Sequence, residues 1–134
     1  MPEPTDRDEP DVVDKRSPRT VAETVSRLTE IVTARGMRLF AVIDQSDEAR
    51  RVGLDLRETV LVLFGSPVAG TPVMAAAPHA ALDLPLKVLI WADGDSTTVS
   101  YASPTELAAR HHLTADLAAK LAGIDALTDA LVAP

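Results

Sequence analysis

Residues 20–44, TVAETVSRLTEIVTARGMRLFAVID, predict a capped helix followed by an apolar strand. Thr20 and Glu23 have the spacing of a capping box, in which each side chain accepts a hydrogen bond from a free amide at the helix start. The apolar residues that follow recur at helical spacing and form one stripe, Val21, Val25, Leu28 and Val32. Gly36 is the expected helix stop, because glycine readily adopts the left-handed conformation required there. The apolar run 39–43 predicts a strand covered on both faces.

The rest of the chain predicts more strands than long helices. Strands are expected at residues 12–17, 59–64, 86–92 and 97–102, and the last two form an antiparallel hairpin whose second strand has one wet face. Short helices are expected near residues 46–52 and 73–77, and two more follow the capping residues Ser103 and Thr114. The order is β-α-β-(α)-β-(α)-β-β-α-α. It predicts an α+β fold with a mixed or antiparallel sheet of about five strands packed by helices.

Length and composition predict one domain with a short tail. Residues 1–10 hold three prolines and five charges, so we expect a disordered tail followed by a single domain over residues 11–134. The chain has no cysteine, which excludes disulfides and thiolate chemistry. Its net charge of −7 disfavours nucleic acid as a partner. No run of about 20 apolar residues predicts a membrane segment, and we expect a cytoplasmic protein.

Several phrases occur together in one order: ETVSRL, RGMRLFAVID, LFGSP, GTPVM, LDLPLKVLIWAD and YASPTELAARH. In these phrases, over about residues 20–113, the chain resembles the domain of unknown function 302 family. The resemblance implies a small bacterial or archaeal α+β domain and a homodimer, and it implies no cofactor, substrate or catalytic residue. Similar sequences often have histidine and asparagine where this chain has Gln45 and Ser66. Any family chemistry that needs that imidazole would be lost here.

The segment Gly65–Pro72 is a candidate ligand-binding loop. Its glycines would let the backbone approach a ligand closely, and the amides at the start of the next helix would favour a small anionic group. It lacks the Walker A and dinucleotide-binding patterns. The alternative is an ordinary strand-to-helix connection.

Asp44 and His79 are the candidate proton carriers near this loop. Asp44 ends an apolar strand, where burial would raise the pKa of its carboxyl, although it could instead cap the next helix. His79 lies between the loop and Asp83. The other two histidines, His111 and His112, lack the spacing of a metal site. The predicted ligand-binding set is Asp44, Gly65, Ser66, Gly70, Thr71 and His79.

Three functional hypotheses follow. The first is a small dimeric binding or accessory domain without catalysis of its own. The second is a small-molecule enzyme that uses Asp44 or His79 for proton transfer beside the Gly65–Pro72 loop, and the third is a metal or haem carrier. We expect a homodimer because three strands look apolar on both faces while only two strongly amphipathic helices can cover them.

Overall fold

The computed structural model describes residues 11–134, so the predicted tail over residues 1–10 lies outside the described residues. The strands within them are β1 (Val12–Ser17), β2 (Arg38–Asp44), β3 (Thr59–Gly65), β4 (Leu86–Asp93) and β5 (Ser96–Ala102). The helices are α1 (Val21–Ala34), α2 (Gln45–Arg51), α3 (Pro67–Ala76), α4 (Pro104–Arg110), α5 (Ala115–Ala119) and α6 (Gly123–Val132). A 3₁₀ turn covers Pro78–Leu82.

The strands form one sheet in the order β1-β5-β4-β3-β2, and every neighbouring pair is antiparallel. The predicted α+β class and the sheet of five strands are confirmed. The hairpin between β4 and β5 turns at Gly94, whose φ of 62° requires a residue that tolerates the left-handed conformation.

The helix α1 begins and ends as its sequence predicts. The Glu23 amide donates to Thr20 Oγ1 at 3.1 Å, and the Thr20 amide donates to Glu23 Oε1 at 3.1 Å, which completes the capping box. Gly36 follows the helix with a φ of 73°. The capping box fixes where α1 begins, and Gly36 fixes where it ends, just before β2.

The main core lies between the sheet and one helical layer. α1 contacts β2, β3, β4 and α6, and α6 also contacts β1. Residues that are completely buried here come from the sheet and from both helices, and they include Val62, Phe64, Ile90, Val99, Leu28 and Leu131. The final helix predicted after Thr114 is divided in two, since α5 ends at Ala119 and α6 begins at Gly123.

β2 differs from its prediction as a strand covered on both faces. It is an edge strand of the described sheet, where it pairs with β3 alone, and Leu39, Phe40 and Val42 are 38%, 47% and 44% exposed. The β2–β3 register also shifts between Leu39 and Ala41, which leaves Phe40 as an extra residue in the strand. An apolar run therefore did not indicate burial here, because an edge strand has no neighbour on one side.

β5 differs in the opposite direction. Its polar residues were expected to face solvent, yet Thr98 and Ser100 are buried. β5 is flanked by β1 and β4, and Trp91 on β4 donates its indole N–H to Ser100 Oγ at 2.9 Å. Trp91 is thus half-buried on the sheet face opposite Ile90, rather than in the main core.

Candidate functional site

A cavity of about 460 Å³ lies beside the segment Gly65–Pro72. Gly65 at the end of β3, Ser66, and Gly70 on α3 form one part of its wall. The remaining wall is mainly apolar and comes from β2, α3, the segment before β4, and α6: Phe40, Met74, Leu84, Pro85, Ile124 and Leu127. The segment Gly65–Pro72, predicted as a loop before a helix at residues 73–77, is helical from Pro67 onward, because Ser66 caps α3 six residues earlier than expected. The segment borders the cavity, and three of the six predicted residues line it.

Asp44 is not among these residues, because β2 and β3 run antiparallel. The strand register places Arg38 opposite Gly65 and Asp44 opposite Val60. At about 3.4 Å per residue, Asp44 lies about 20 Å along the strand from the loop. The hypothesis needed the two strands to run the same way, and the predicted approach of Asp44 to the loop is wrong.

Asp44 caps α2 instead. Its Oδ1 accepts hydrogen bonds from the Ser46 hydroxyl at 2.6 Å and from the Asp47 amide at 2.9 Å. These two bonds hold the pKa of the Asp44 carboxyl below its ordinary value, whereas a proton carrier was expected to have a raised pKa. Asp44 is therefore a helix cap, which was the alternative interpretation of its position in the sequence.

Thr71 and His79 also lie outside the cavity wall. Thr71 is exposed on α3, one residue after Gly70. His79 is exposed in the 3₁₀ turn Pro78–Leu82. Neither residue lines the cavity, so Gly65, Ser66 and Gly70 are the three predicted residues that do.

The start of α3 offers fewer free amides than the sequence suggested. Pro67 has no N–H, the Ala69 amide donates to Ser66 Oγ at 3.3 Å, and the Gly70 amide donates to the Ser66 carbonyl at 2.8 Å. Ser66 therefore works as the helix cap. An anion at this cavity would depend on side-chain charges more than on these amides.

Two cationic side chains border the cavity, and neither was among the residues predicted from the sequence. Arg35 follows the last residue of α1, and Lys120 follows the last residue of α5. Both are exposed, and within residues 11–134 no aspartate or glutamate lines the cavity. The positions are 85 residues apart in sequence, so only the fold brings them to one site. A basic residue after a helix is usually explained by the helix dipole alone.

A second group of polar residues lies around Asp83. His111 Nε2 lies 2.5 Å from Asp83 Oδ2, and Arg110 reaches the same carboxylate at 3.1 Å. Burial would raise the pKa of the Asp83 carboxyl, but the hydrogen bonds from His111 and Arg110 outweigh it and lower that pKa below its ordinary value. Asp83 and Ser100 both border a smaller cavity of about 340 Å³.

Residues 11–134 hold neither a metal-ligand cluster nor a membrane-spanning helix. No group of three or more histidine, aspartate or glutamate side chains in this range could hold a metal ion. None of the helices in the same range has the length and apolar character needed to cross a membrane.

Comparison with known sequences finds both a family and longer relatives. The model of the family described as domain of unknown function DUF302 matches residues 13–131. Two proteins named fluoride-specific ion channel FluC 1, from Brucella suis biovar 1 and Brucella abortus biovar 1, are 36% identical over 103 residues. The match covers 76% of this chain but 41% and 38% of those proteins. The chain thus spans about two fifths of the length of these relatives.

Comparison with solved structures finds the same fold. The crystal structure of an uncharacterized conserved protein DUF302 from Bacillus stearothermophilus matches with a TM-score of 0.78 and 18% identity. The match covers 92% of this chain and 96% of that chain. With the family model matching nearly all of the described residues, this chain belongs to the DUF302 family.

Proposed function

We propose that this chain is a binding or accessory domain that takes a small molecule into the cavity beside Gly65 and has no catalytic activity of its own. The observation that carries the proposal is the cavity itself. Its volume of about 460 Å³ lies within the range of about 300–1,000 Å³ that is usual for ligand pockets. Its mainly apolar wall, with few polar groups, is also typical of such pockets.

The wall supports binding more than catalysis. A proton carrier would need a carboxylate or an imidazole within reach of the ligand, and the lining residues in the described part of the chain include neither. Ser66 is the hydroxyl residue of the wall, and its Oγ already caps α3. The enzyme alternative relied on Asp44 or His79, both of which lie outside the wall.

The Brucella proteins support the accessory part of the proposal. Their match to this chain occupies about two fifths of proteins that are named as fluoride-specific ion channels. A domain that occurs as one part of a longer protein is suited to serve another part by binding a ligand. The activity in that name belongs to those proteins.

The proposal includes a homodimer formed through β2. Leu39, Phe40 and Val42 expose apolar surface on this edge strand, and an unpaired edge offers backbone groups to another strand. An antiparallel pair of β2 strands would bring the Arg38 end of one copy to the Asp44 end of the other. The opposite edge, β1, has the charged sequence Asp14-Lys15-Arg16, which disfavours pairing.

Filling the cavity tests the proposed function. A Cβ atom at Gly70 would lie 3.9 Å from Leu84 Cδ1 and from Met74 Cε, so the side chain of Gly70→Leu would enter the cavity. The neutral dye N-phenyl-1-naphthylamine serves as the apolar probe, with binding measured by fluorescence titration. We expect one dye per chain and at least tenfold weaker binding to Gly70→Leu.

The matched control is Thr71→Leu, the same new side chain one residue further along α3 on an exposed position. Circular dichroism should show both variants folded. Equal dye affinity of Gly70→Leu and Thr71→Leu would contradict binding in this cavity, and so would the absence of dye binding to the native chain.

A further inference from the structure

We propose that the ligand of this cavity is an amphipathic anion, with a hydrocarbon body held inside and one anionic group held at the mouth by Arg35 and Lys120. This inference rests on the proposed function, since it names the ligand class of the same cavity. The sequence suggested that helix amides would bind an anion, whereas the structure favours two side chains for that role.

The charge of the cavity is opposite to that of the chain. The protein has 20 acidic and 13 basic residues and a net charge of −7. The cavity lining contributed by residues 11–134 nevertheless includes Arg35 and Lys120 and no carboxylate. In the described part of the chain, neither cation forms an ion pair with an aspartate or glutamate, so both charges are free to meet a ligand.

The residues that line the cavity range from exposed cations to buried apolar side chains. Arg35 and Lys120 are exposed, whereas Phe64 and Leu127, which line the same cavity, are 0% and 2% exposed. A ligand with a charged end and an apolar end would leave the charge in contact with water and bury the rest. Long cationic side chains suit this arrangement, because their stems pack on apolar surface while their heads stay solvated.

The wall also suits a flexible hydrocarbon chain. Met37 and Met74 line the cavity, and methionine adapts to ligands of varied shape because its side chain is unbranched and polarisable. Each methylene group that enters an apolar wall should tighten binding about fourfold until the cavity is full. Affinity should therefore rise from hexanoate to octanoate to decanoate.

Displacement of N-phenyl-1-naphthylamine by three ten-carbon probes tests the ligand class. The probes are decanoate, decanol and decylammonium, used below the concentrations at which they form micelles. We expect decanoate to bind at least tenfold more tightly than decylammonium. The preference should weaken in high salt, because ions screen exposed charges.

The decisive variant is Arg35→Gln with Lys120→Gln, which removes both charges and keeps the polar side chains. We expect its decanoate affinity to fall about five- to tenfold while its decanol affinity stays the same. The matched control is Arg50→Gln with Arg51→Gln, which removes two exposed charges from α2. The control should bind all three probes as the native chain does.

The outcomes separate the two proposals. If all three probes bind native protein equally, or if the Arg35/Lys120 variant keeps the native preference for decanoate, the amphipathic-anion proposal is wrong while binding in the cavity stands. If neither the dye nor any ten-carbon probe binds, the proposed function and the ligand class both fail.

Discussion

Asp83 and His111 are joined across 28 residues by a contact of 2.5 Å between Oδ2 and Nε2. Asp83 directly follows the 3₁₀ turn after α3, and His111 directly follows α4, so this pair ties the two segments together. Arg110 binds the same carboxylate, and the His111 side chain is only 9% exposed. Asp83, Arg110 and His111 thus form a polar cluster, called the clamp below, that anchors the chain just before Leu84 in the cavity wall.

This clamp makes stability depend on pH in the acid range. The pKa of the Asp83 carboxyl is below its ordinary value in the folded chain, so its contribution is fully present above about pH 4 and is lost as the pH falls through the lowered pKa. We expect Asp83→Asn to reduce the free energy of unfolding at pH 7 by about 1–2 kcal/mol. Urea unfolding between pH 2 and 7 measures both effects.

The control for Asp83 is Asp55→Asn, at an exposed position in the loop after α2. It should follow the native dependence of stability on pH. If Asp83→Asn loses the same stability between pH 7 and pH 2 as the native chain, the clamp does not account for the acid sensitivity.

The edge strand β2 gives a second prediction, about self-association. Val42→Lys places a charge on the apolar edge proposed to join two copies, and unpaired charge on an edge disfavours strand pairing. Val12→Lys makes the same change on β1, where Val12 is 49% exposed, close to the 44% of Val42. We expect light scattering at micromolar concentration to give a dimer for the native chain and Val12→Lys, and the 14.2 kDa monomer for Val42→Lys.

Two other results would contradict this prediction. A native chain that stays monomeric at these concentrations would exclude the homodimer. A Val42→Lys variant that remains dimeric would keep the homodimer but move its interface away from β2.

The local elements could be predicted from the sequence because their signals are local. The capping box of Thr20 and Glu23, the stop at Gly36 and the turn at Gly94 each depend on residues a few positions apart. Such hydrogen bonds and backbone conformations depend on neighbouring residues and not on distant parts of the chain. The order of elements, and with it the α+β class, followed from these signals.

The arrangement of strands could not be predicted in the same way. The apolar run 39–43 has the composition of a buried strand, yet β2 lies at the edge of the sheet. Because β2 runs antiparallel to β3, Asp44 lies far from Gly65. Arg35 and Lys120 both border the cavity only once α1 and α5 are in place, so no spacing in the sequence could assign them to one site.

The buried polar residues of β5 give a third prediction. Ser100 Oγ accepts the indole N–H of Trp91 at 2.9 Å and donates to Asp14 Oδ1 at 2.5 Å, which links β4, β5 and β1. Ser100→Ala removes both bonds and leaves the Trp91 N–H to seek water. We expect a loss of about 1–2 kcal/mol in the free energy of unfolding, seen as a lower melting temperature by roughly 4–8 °C.

Trp91 is the one tryptophan of the chain, so its fluorescence reports this site without interference. Emission of the folded Ser100→Ala variant should move to longer wavelength, because water replaces the serine hydroxyl at the indole. Ser26→Ala, on the exposed side of α1, is the control and should leave both emission and stability unchanged. Native emission and native stability in Ser100→Ala would show that the hydroxyl does not hold the three strands together, and that packing alone explains why β5 is buried.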